Sequence, residues 1–131
     1  MFIDASALTA LLTDENDARE LLSRMQSART RMTSPLAVWE AAIAVARILD
    51  LEIDEVAGSV ERYLTLMEIE TVTVPPETAE IALNAFGRYG KGRHPARLNF
   101  GDCFAYACAR HFGQPLMFKG GDFPHTDIEA A

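Results

Sequence analysis

Four acidic side chains stand out because each lies in or next to a segment that is otherwise apolar. They are Asp4, Glu40, Asp102 and Asp122, spread along the whole chain of 131 residues. Carboxylates brought together repel one another, and some stay protonated unless a cation compensates them. Oxygen ligands without cysteine or paired histidine favour Mg²⁺ or Mn²⁺, ions that bind phosphate oxygens and lower the pKa of a coordinated water. A cluster of these four acids would therefore indicate phosphodiester hydrolysis.

Two of these acids also have ordinary structural explanations. Asp102 follows Asn99 by three residues, so it could complete a capping box and favour the start of a helix. Glu40 is the one charged residue in the apolar run 35–46, where a lone carboxylate is costly unless something compensates it. It could reach solvent or pair with Arg47, but seven residues separate the two, and a direct pair would be strained.

Apolar periodicity predicts short strands that alternate with helices. This alternation is typical of an α/β protein with a mainly parallel central sheet of about four to five strands and helices on both faces, three layers in all. The length fits one domain spanning residues 1–131. Strands are predicted at 1–3, 30–33, 71–74 and 115–118, and helices at 8–12, 14–27, 35–46, 51–67, 77–89 and 100–109, with a last helical turn at 126–129.

The predicted topology brings the acids to one rim of the sheet, because ligands of such sheets bind beyond the carboxyl ends of the strands. Asp4 directly follows the first strand, and Asp122 follows the last after a glycine-rich turn. We assign Asp4 and Asp102 as the strongest direct metal ligands. Glu40 and Asp122 are assigned to complete this catalytic site or to hold metal-bound waters. We expect Ser6 to form a hydrogen bond to a ligand or water around the metal.

Composition restricts the remaining function classes. The net charge of −7 argues against general binding to nucleic acid, although acids that hold divalent cations would reverse the local sign. Cys103 and Cys108 are five residues apart on one predicted helix, so we expect reduced core residues and no disulfide. No nucleotide-binding glycine motif is present. Because no segment resembles a signal peptide or a membrane span, we expect a cytoplasmic protein.

Four sequence motifs, taken in order, resemble those of the PIN-domain nucleases. More narrowly, the pattern is similar to that of the VapC toxins of bacterial type II toxin–antitoxin pairs, and the resemblance covers essentially the whole chain. One departure is that many PIN domains carry an acid two residues before the final Asp-Phe pair, where this chain has Gly120. The motifs are Asp4-Ala5-Ser6, Val38-Trp39-Glu40, Asn99-Phe100-Gly101-Asp102-Cys103 and Phe118-Lys119-Gly120-Gly121-Asp122-Phe123.

The resemblance implies a Mg²⁺-dependent endoribonuclease that a cognate VapB-like antitoxin inhibits. It also implies toxin homodimers and larger toxin–antitoxin assemblies in which the antitoxin, and not the toxin, contacts DNA. The apolar faces of the early helices are candidates for the dimer surface. The match carries Asp4, Glu40 and Asp102 over as active-site acids, with Asp122 as the fourth. Asp127 is a possible substitute for Asp122, or a residue that supports the ligands.

A basic stretch at 88–97 is the candidate RNA-binding segment. Lys91, Arg93 and Arg97 lie in it, and Lys119 approaches the predicted site from another part of the chain. Phosphate contacts would make activity sensitive to salt, whereas the alternative is a solvated loop without a function.

Two aromatic residues near the acids, Trp39 and Tyr106, are interpreted as core residues in preference to platforms for stacking bases. Two other functions stay open on the sequence alone. One is a partner-binding module that has kept the scaffold without catalysis, and the other is a DNA-directed, metal-dependent phosphohydrolase.

Overall fold

The centre of the computed structural model, which describes residues 1–131, is a sheet of four two-residue strands. All pairings are parallel, in the order β3-β2-β1-β4. The chain returns across β1 to reach β4, so the strand order reverses beside β1, which is where ligands bind in sheets of this kind. The strands are β1 (Phe2–Ile3), β2 (Met32–Thr33), β3 (Glu70–Thr71) and β4 (Leu116–Met117).

Six α-helices connect these strands, and a single 3₁₀ turn at Phe123–His125 follows β4. Side-chain caps fix the starts of three helices, because they satisfy backbone N–H groups that have no partner within the helix. No helix combines the length and the apolar character that a membrane-spanning segment needs. The helices are α1 (Ala5–Leu12), α2 (Ala18–Ser27), α3 (Pro35–Leu49), α4 (Ile53–Leu66), α5 (Thr78–Tyr89) and α6 (Phe100–His111).

Neighbouring side chains of β1 and β4 point to opposite faces of the sheet, as the two-residue period of a strand requires. Ile3 and Met117 belong to a core shared with α1, α2, α3 and α4. Phe2 and Leu116 belong to a second core shared with α5 and α6. All four side chains are fully buried. The prediction of a parallel sheet with helices on both faces is therefore confirmed.

Several element boundaries differ from the predictions, and at two of them local backbone geometry overrides the apolar pattern. The second helix begins at Ala18 and not at residue 14, since Asp14 takes a left-handed conformation (φ 50°) and the Glu15 N–H binds the Ala10 carbonyl. The third strand is Glu70–Thr71 and not 71–74, because β2 ends at Thr33, just before the α3 cap, and leaves little strand to pair with.

The predicted helical turn at 126–129 is wrong. These residues run alongside β4, where the Leu116 N–H donates to the Glu129 carbonyl at 2.8 Å. The Ala131 N–H donates to the Leu116 carbonyl at 2.9 Å, and Ala130 forms a parallel bridge with Leu116. The C-terminal segment therefore covers an edge of the sheet that would otherwise expose unpaired backbone groups.

The interpretation of Trp39 as a core residue is also wrong, since 66% of its surface is exposed. The buried side of α3 is formed by residues four apart, Ala37, Ala41 and Val45, and a residue midway between two of them faces outward. Tyr106 is buried as expected, and the two cysteines are buried and free.

Candidate active site

Asp4 begins the site at the junction of β1 and α1. It is the N-cap of α1, and its Oδ2 accepts hydrogen bonds from the Ser6 N–H at 3.0 Å and the Ser6 hydroxyl at 2.5 Å. Only 4% of the residue is exposed, and burial raises the pKa of its carboxyl, although the Ser6 hydrogen bonds act in the opposite direction. Asp4 is therefore a rigidly held carboxylate in a place that disfavours its negative charge.

Ser6 joins Asp4 to the segment that follows β4. The Ser6 hydroxyl oxygen accepts a hydrogen bond from the Lys119 N–H at 3.0 Å, and the Asp4 N–H donates to the Met117 carbonyl at 2.9 Å. The carboxyl ends of the neighbouring strands β1 and β4 are thus connected through backbone and hydroxyl groups. This connection sets where the chain continues towards Asp122.

Asp102 lies in the first turn of α6, where it completes a capping box with Asn99. Asp102 Oδ2 accepts from the Asn99 N–H at 3.0 Å, and Asn99 Oδ1 accepts from the Asp102 N–H at 2.9 Å. Burial raises the pKa of Asp102 to about 6; the Asn99 hydrogen bond opposes this, and the charges of Asp4 and Asp122 add to it. The capping explanation is thus correct, yet Asp102 Oδ1 accepts no hydrogen bond and is available to a ligand.

Glu40 reaches the same place from α3 and packs directly against the backbone of Gly101. A Cβ placed on Gly101 would lie only 1.8 Å from Glu40 Oε1. Burial, together with the charges of Asp4 and Asp102, raises the pKa of Glu40 to about 7. Arg47 forms no ion pair with Glu40, so the alternative of a compensating basic partner is not what the structure shows.

Asp122 is the most exposed of the four acids and ends the loop that follows β4. Gly120 in this loop has a φ of +104°, a conformation that residues with a side chain rarely adopt. Asp122 lies close enough to Asp102 for its charge to raise the pKa of that carboxyl. The fold thus brings together four acids that are separated by up to 118 positions in the sequence, Asp4, Glu40, Asp102 and Asp122.

The four carboxylates are not a preassembled ligand set. No group of three Asp, Glu, His or Cys side chains is arranged to hold a metal ion. The donor set is nevertheless chemically suited to Mg²⁺ or Mn²⁺, because it consists of oxygen atoms and carries uncompensated negative charge. Carboxylates that have no cation between them repel one another. This repulsion explains why side chains of the cluster are close enough to raise the pKa of a neighbouring acid but do not converge on one point.

Asp127 lies in a different network. The Tyr106 hydroxyl donates to its Oδ1 at 2.7 Å, and Arg110 forms an ion pair with its Oδ2 at 2.8 Å. The Tyr106 hydrogen bond and the charges of Arg110 and Arg88 lower the pKa of Asp127 to about 2. These contacts fasten the C-terminal segment to α6, and the structure does not bring Asp127 to the four acids.

The predicted RNA contacts fall into two groups. Lys91, Arg93 and Arg97 are exposed on the loop that leads into α6, and the Arg93 guanidinium lies over the Phe86 ring at 5.5 Å. The Lys119 side chain is instead bound by Glu15 and Asp17 of the α1–α2 connection. This connection could not be predicted from the sequence, because its acids lie in a polar stretch that resembles any exposed turn.

Sequence reasoning also missed the role of Gly101. Glycine is among the poorest residues inside a helix, so its presence in the first turn of α6, directly before Asp102, was the available signal. The structure supplies the reason, since only a residue without a side chain lets the Glu40 carboxylate lie against this turn.

Comparison with known proteins gives concordant matches over nearly the whole chain. The PIN domain family model matches residues 1–129. A VapC ribonuclease of Mycobacterium bovis is 40% identical over 129 residues, covering 98% of this chain and 95% of that protein. Ribonuclease VapC of Mycolicibacterium smegmatis is 42% identical over 131 residues, covering 99% of this chain and 98% of that protein.

The fold is similar to a solved structure as well. The crystal structure of Mycobacterium tuberculosis VapC20, described as a Sarcin-Ricin loop cleaving toxin, superposes with a TM-score of 0.77. The match covers 99% of this chain and 97% of that one at 18% sequence identity, so it speaks for the fold alone.

Replacing Gly101 with alanine should displace Glu40 and leave the fold intact. The new Cβ meets the flexible end of the Glu40 side chain and not a backbone atom, so the carboxylate can move outward. Away from Asp4 and Asp102, the pKa of Glu40 should fall from about 7 towards its ordinary value of 4.5. Carboxyl ¹³C NMR titration measures this shift.

The matched control is Gly87→Ala on α5, where an added Cβ has no atom within 4 Å. This variant should be more stable by about 0.5–1 kcal/mol, because alanine favours the helix, and should leave the pKa of Glu40 unchanged. A Glu40 carboxyl that still titrates near 7 in Gly101→Ala would show that the proposed packing is wrong.

Without a divalent cation, the stability of the folded chain should fall between about pH 4.5 and pH 7. Folding raises the pKa of Glu40 from 4.5 to about 7, so the folded state binds the proton more tightly than the unfolded state does. The contribution of Glu40 is therefore fully present below pH 4.5 and lost as the pH rises through 7. Thermal unfolding across this pH range measures the loss.

Glu40→Gln should unfold at a higher temperature than the wild type at pH 8 in EDTA, because it removes one of the repelling charges. The exposed Glu61→Gln on α4 is the control and should behave like the wild type. Mg²⁺ should stabilise the wild type more at pH 8 than at pH 5, and a wild type that responds to neither pH nor Mg²⁺ contradicts the assignment.

Proposed function

Because this chain belongs to the PIN domain family and, within it, to the VapC family, we propose that it is a metal-dependent endoribonuclease that acts as the toxin of a toxin–antitoxin pair. One observation carries most of the weight: Glu40 and Asp102 have raised pKa values because they are buried and also because they lie near other carboxylates of the cluster. A like charge close to a carboxylate disfavours its charged form, so acids that serve only structure gain nothing from being clustered. A cluster of uncompensated carboxylates at the reversal of the strand order is suited to binding a cation.

Asp4, Glu40, Asp102 and Asp122 would hold the ion, which we propose to be Mg²⁺, with Mn²⁺ as a substitute. When bound, the ion supplies positive charge for the phosphate and activates water for hydrolysis. The chain itself supplies rigid placement: Ser6 holds one oxygen of Asp4, and Asn99 holds one oxygen of Asp102.

The N-termini of α1 and α6 both lie at the acidic cluster. Asp4 caps α1, and Asp102 lies in the first turn of α6. The positive ends of the two helix dipoles favour bound anions, both the carboxylates and the phosphate of a substrate. The acidic cluster is therefore able to accept a polyanion once a cation has reversed its charge.

We propose RNA as the substrate because the curated relatives are named ribonucleases. Lys91, Arg93 and Arg97 are the candidate phosphate contacts, since they are exposed on the loop that leads into the helix of Asp102. Contacts of this kind are lost as salt concentration rises, so cleavage should weaken with ionic strength.

A VapB-like antitoxin is the proposed inhibitor, and any contact with DNA would be made by that partner. The net charge of the chain, −7 at pH 7, supports the proposal that the antitoxin and not the toxin contacts DNA, because DNA repels an acidic protein.

A homodimer is the proposed state of the toxin. Large apolar side chains are exposed on three neighbouring helices, and an apolar groove of about 450 Å³ runs between α5 and α6. Soluble monomers rarely expose such a contiguous apolar surface. The groove therefore fits a second copy of the chain, and its exposed residues are Leu83 and Phe86 of α5 and Phe100 of α6.

Asp102→Asn should abolish Mg²⁺-dependent cleavage of a cellular RNA pool and the growth arrest caused by expressing the chain. Asparagine keeps a side-chain oxygen for the Asn99 N–H, so the helix cap survives while the charge is lost. Asp4→Asn should behave in the same way. Gel analysis of RNA, with DNA of the same length in parallel, measures the activity and distinguishes a DNA-directed enzyme.

Substitutions of Asp122 and Asp127 test which of the two is the fourth acid of the site. Asp122→Asn should reduce cleavage without changing the melting temperature. Asp127→Asn should lower the melting temperature, because the Tyr106 and Arg110 contacts are weakened, but should keep its cleavage. Unimpaired cleavage by Asp102→Asn would refute the nuclease assignment, and tight binding of the antitoxin without any RNA cleavage would identify a partner-binding module.

Leu83→Glu should convert a dimer into a monomer, since Leu83 is 74% exposed on the apolar surface and a charge there would be buried between two copies. Light scattering on the eluting protein measures the mass. Leu66→Glu is the control, because Leu66 is 78% exposed on α4, outside this surface, and its substitution should leave the mass unchanged. A wild type that elutes as a monomer at micromolar concentration would rule out the dimer.

A further inference from the structure

The side chain of Lys119 is held by two carboxylates from the connection between α1 and α2. Its Nζ forms ion pairs with Glu15 and with Asp17 Oδ1, the second at 3.2 Å. The exposed fraction of the side chain is 32% for Glu15, 40% for Asp17 and 33% for Lys119. Water therefore screens these ion pairs less than it would screen a fully exposed pair. The contact joins two segments that are about a hundred residues apart in sequence.

The ion pair with Lys119 stabilises the Asp17 carboxylate. Its Oδ1 is buried and accepts no hydrogen bond, so the Lys119 ammonium is what compensates the buried oxygen. A buried carboxylate oxygen left without a partner is strongly unfavourable. The α1–α2 connection and Lys119 should therefore stay together in the folded chain.

Lys119 is also the last firmly held residue before Asp122. Its N–H binds the Ser6 hydroxyl, which in turn binds Asp4. Beyond it the chain has two consecutive glycines, and a Cβ added at either would meet no atom within 4 Å. Asp122 is exposed and forms no side-chain hydrogen bond or ion pair. Its location is thus set on one side by Lys119 and on the other by Phe123, which is buried in the second core.

We propose that Glu15, Asp17 and Lys119 are positioning residues that lock the loop 118–122 so that Asp122 can join the other three acids around a divalent cation. The inference rests on the proposed function, since the cation is the one expected there. It gives Lys119 a role different from the RNA contact that the sequence indicated.

The two roles of Lys119 make opposite predictions for its acidic partners. If Lys119 contacts RNA, removing the carboxylates of Glu15 and Asp17 frees its ammonium, so RNA binding should become tighter. If Lys119 positions the loop, removing either side of the ion pairs should weaken binding of the cation by a similar factor.

The experiment compares Lys119→Met with the double variant Glu15→Gln/Asp17→Asn in the full chain. Binding of Mn²⁺ is measured by calorimetry without RNA, and backbone amide exchange of residues 118–122 is measured on the same samples. Both variants should bind Mn²⁺ about 10-fold more weakly, the usual effect of losing support for a ligand, and should exchange amides of this loop faster.

Two further variants separate positioning from general destabilisation. Lys119→Arg keeps the positive charge and should restore Mn²⁺ affinity. Asp14→Asn/Glu20→Gln makes the same change of charge in the same region, at exposed residues that form no ion pair, and should behave like the wild type.

Unchanged Mn²⁺ affinity in Lys119→Met, with tighter RNA binding by the double variant, would overturn the proposal in favour of the RNA contact. A wild type that neither binds Mn²⁺ nor cleaves RNA would refute the proposed function. In that case, faster amide exchange of residues 118–122 in both variants would still support the proposal that the ion pairs hold this loop. Unchanged amide exchange would refute that proposal too.

Discussion

Mutual repulsion of carboxylates is the interaction on which the rest of this structure depends. Asp4, Glu40 and Asp102 are held within range of one another's charge, and burial together with these charges raises the pKa values of Glu40 and Asp102 to about 7 and 6. Such an arrangement destabilises the folded chain at neutral pH, so the remaining structure must hold the acids in place against it. The two cores on either side of the sheet, and the caps of α1 and α6, supply that support.

The support is local and uses groups that the fold needs in any case. The hydrogen bond of Ser6 to Asp4 and the capping box of Asn99 and Asp102 each satisfy backbone N–H groups at a helix start. The same bonds occupy one carboxylate oxygen of each acid. The capping role of Asp102 is thus compatible with the proposed metal binding, because the capping box occupies only one of its two carboxylate oxygens.

Much of this arrangement could be predicted from the sequence, since it follows from short-range rules. The order of strands and helices was readable from apolar periodicity, and the rim position of Asp4 followed from its place directly after β1. What could not be predicted depends on contacts between distant segments. The packing of Glu40 on Gly101 requires α3 and α6 to be adjacent, and the outward direction of Trp39 depends on which side of α3 is buried.

The four acids are not held equally firmly, and the difference depends on the element in which each acid lies. Asp4 and Asp102 are fixed by hydrogen bonds within one helical turn, whereas Glu40 is confined by packing against Gly101. Asp122 lies between two glycines and the buried Phe123, and its own side chain forms no hydrogen bond or ion pair. Because no three of these side chains converge in the structure, binding of the proposed cation would have to draw the carboxylates together. The side chain with the greatest freedom to move is Asp122, so the movement that completes the site should occur mainly in the loop after β4.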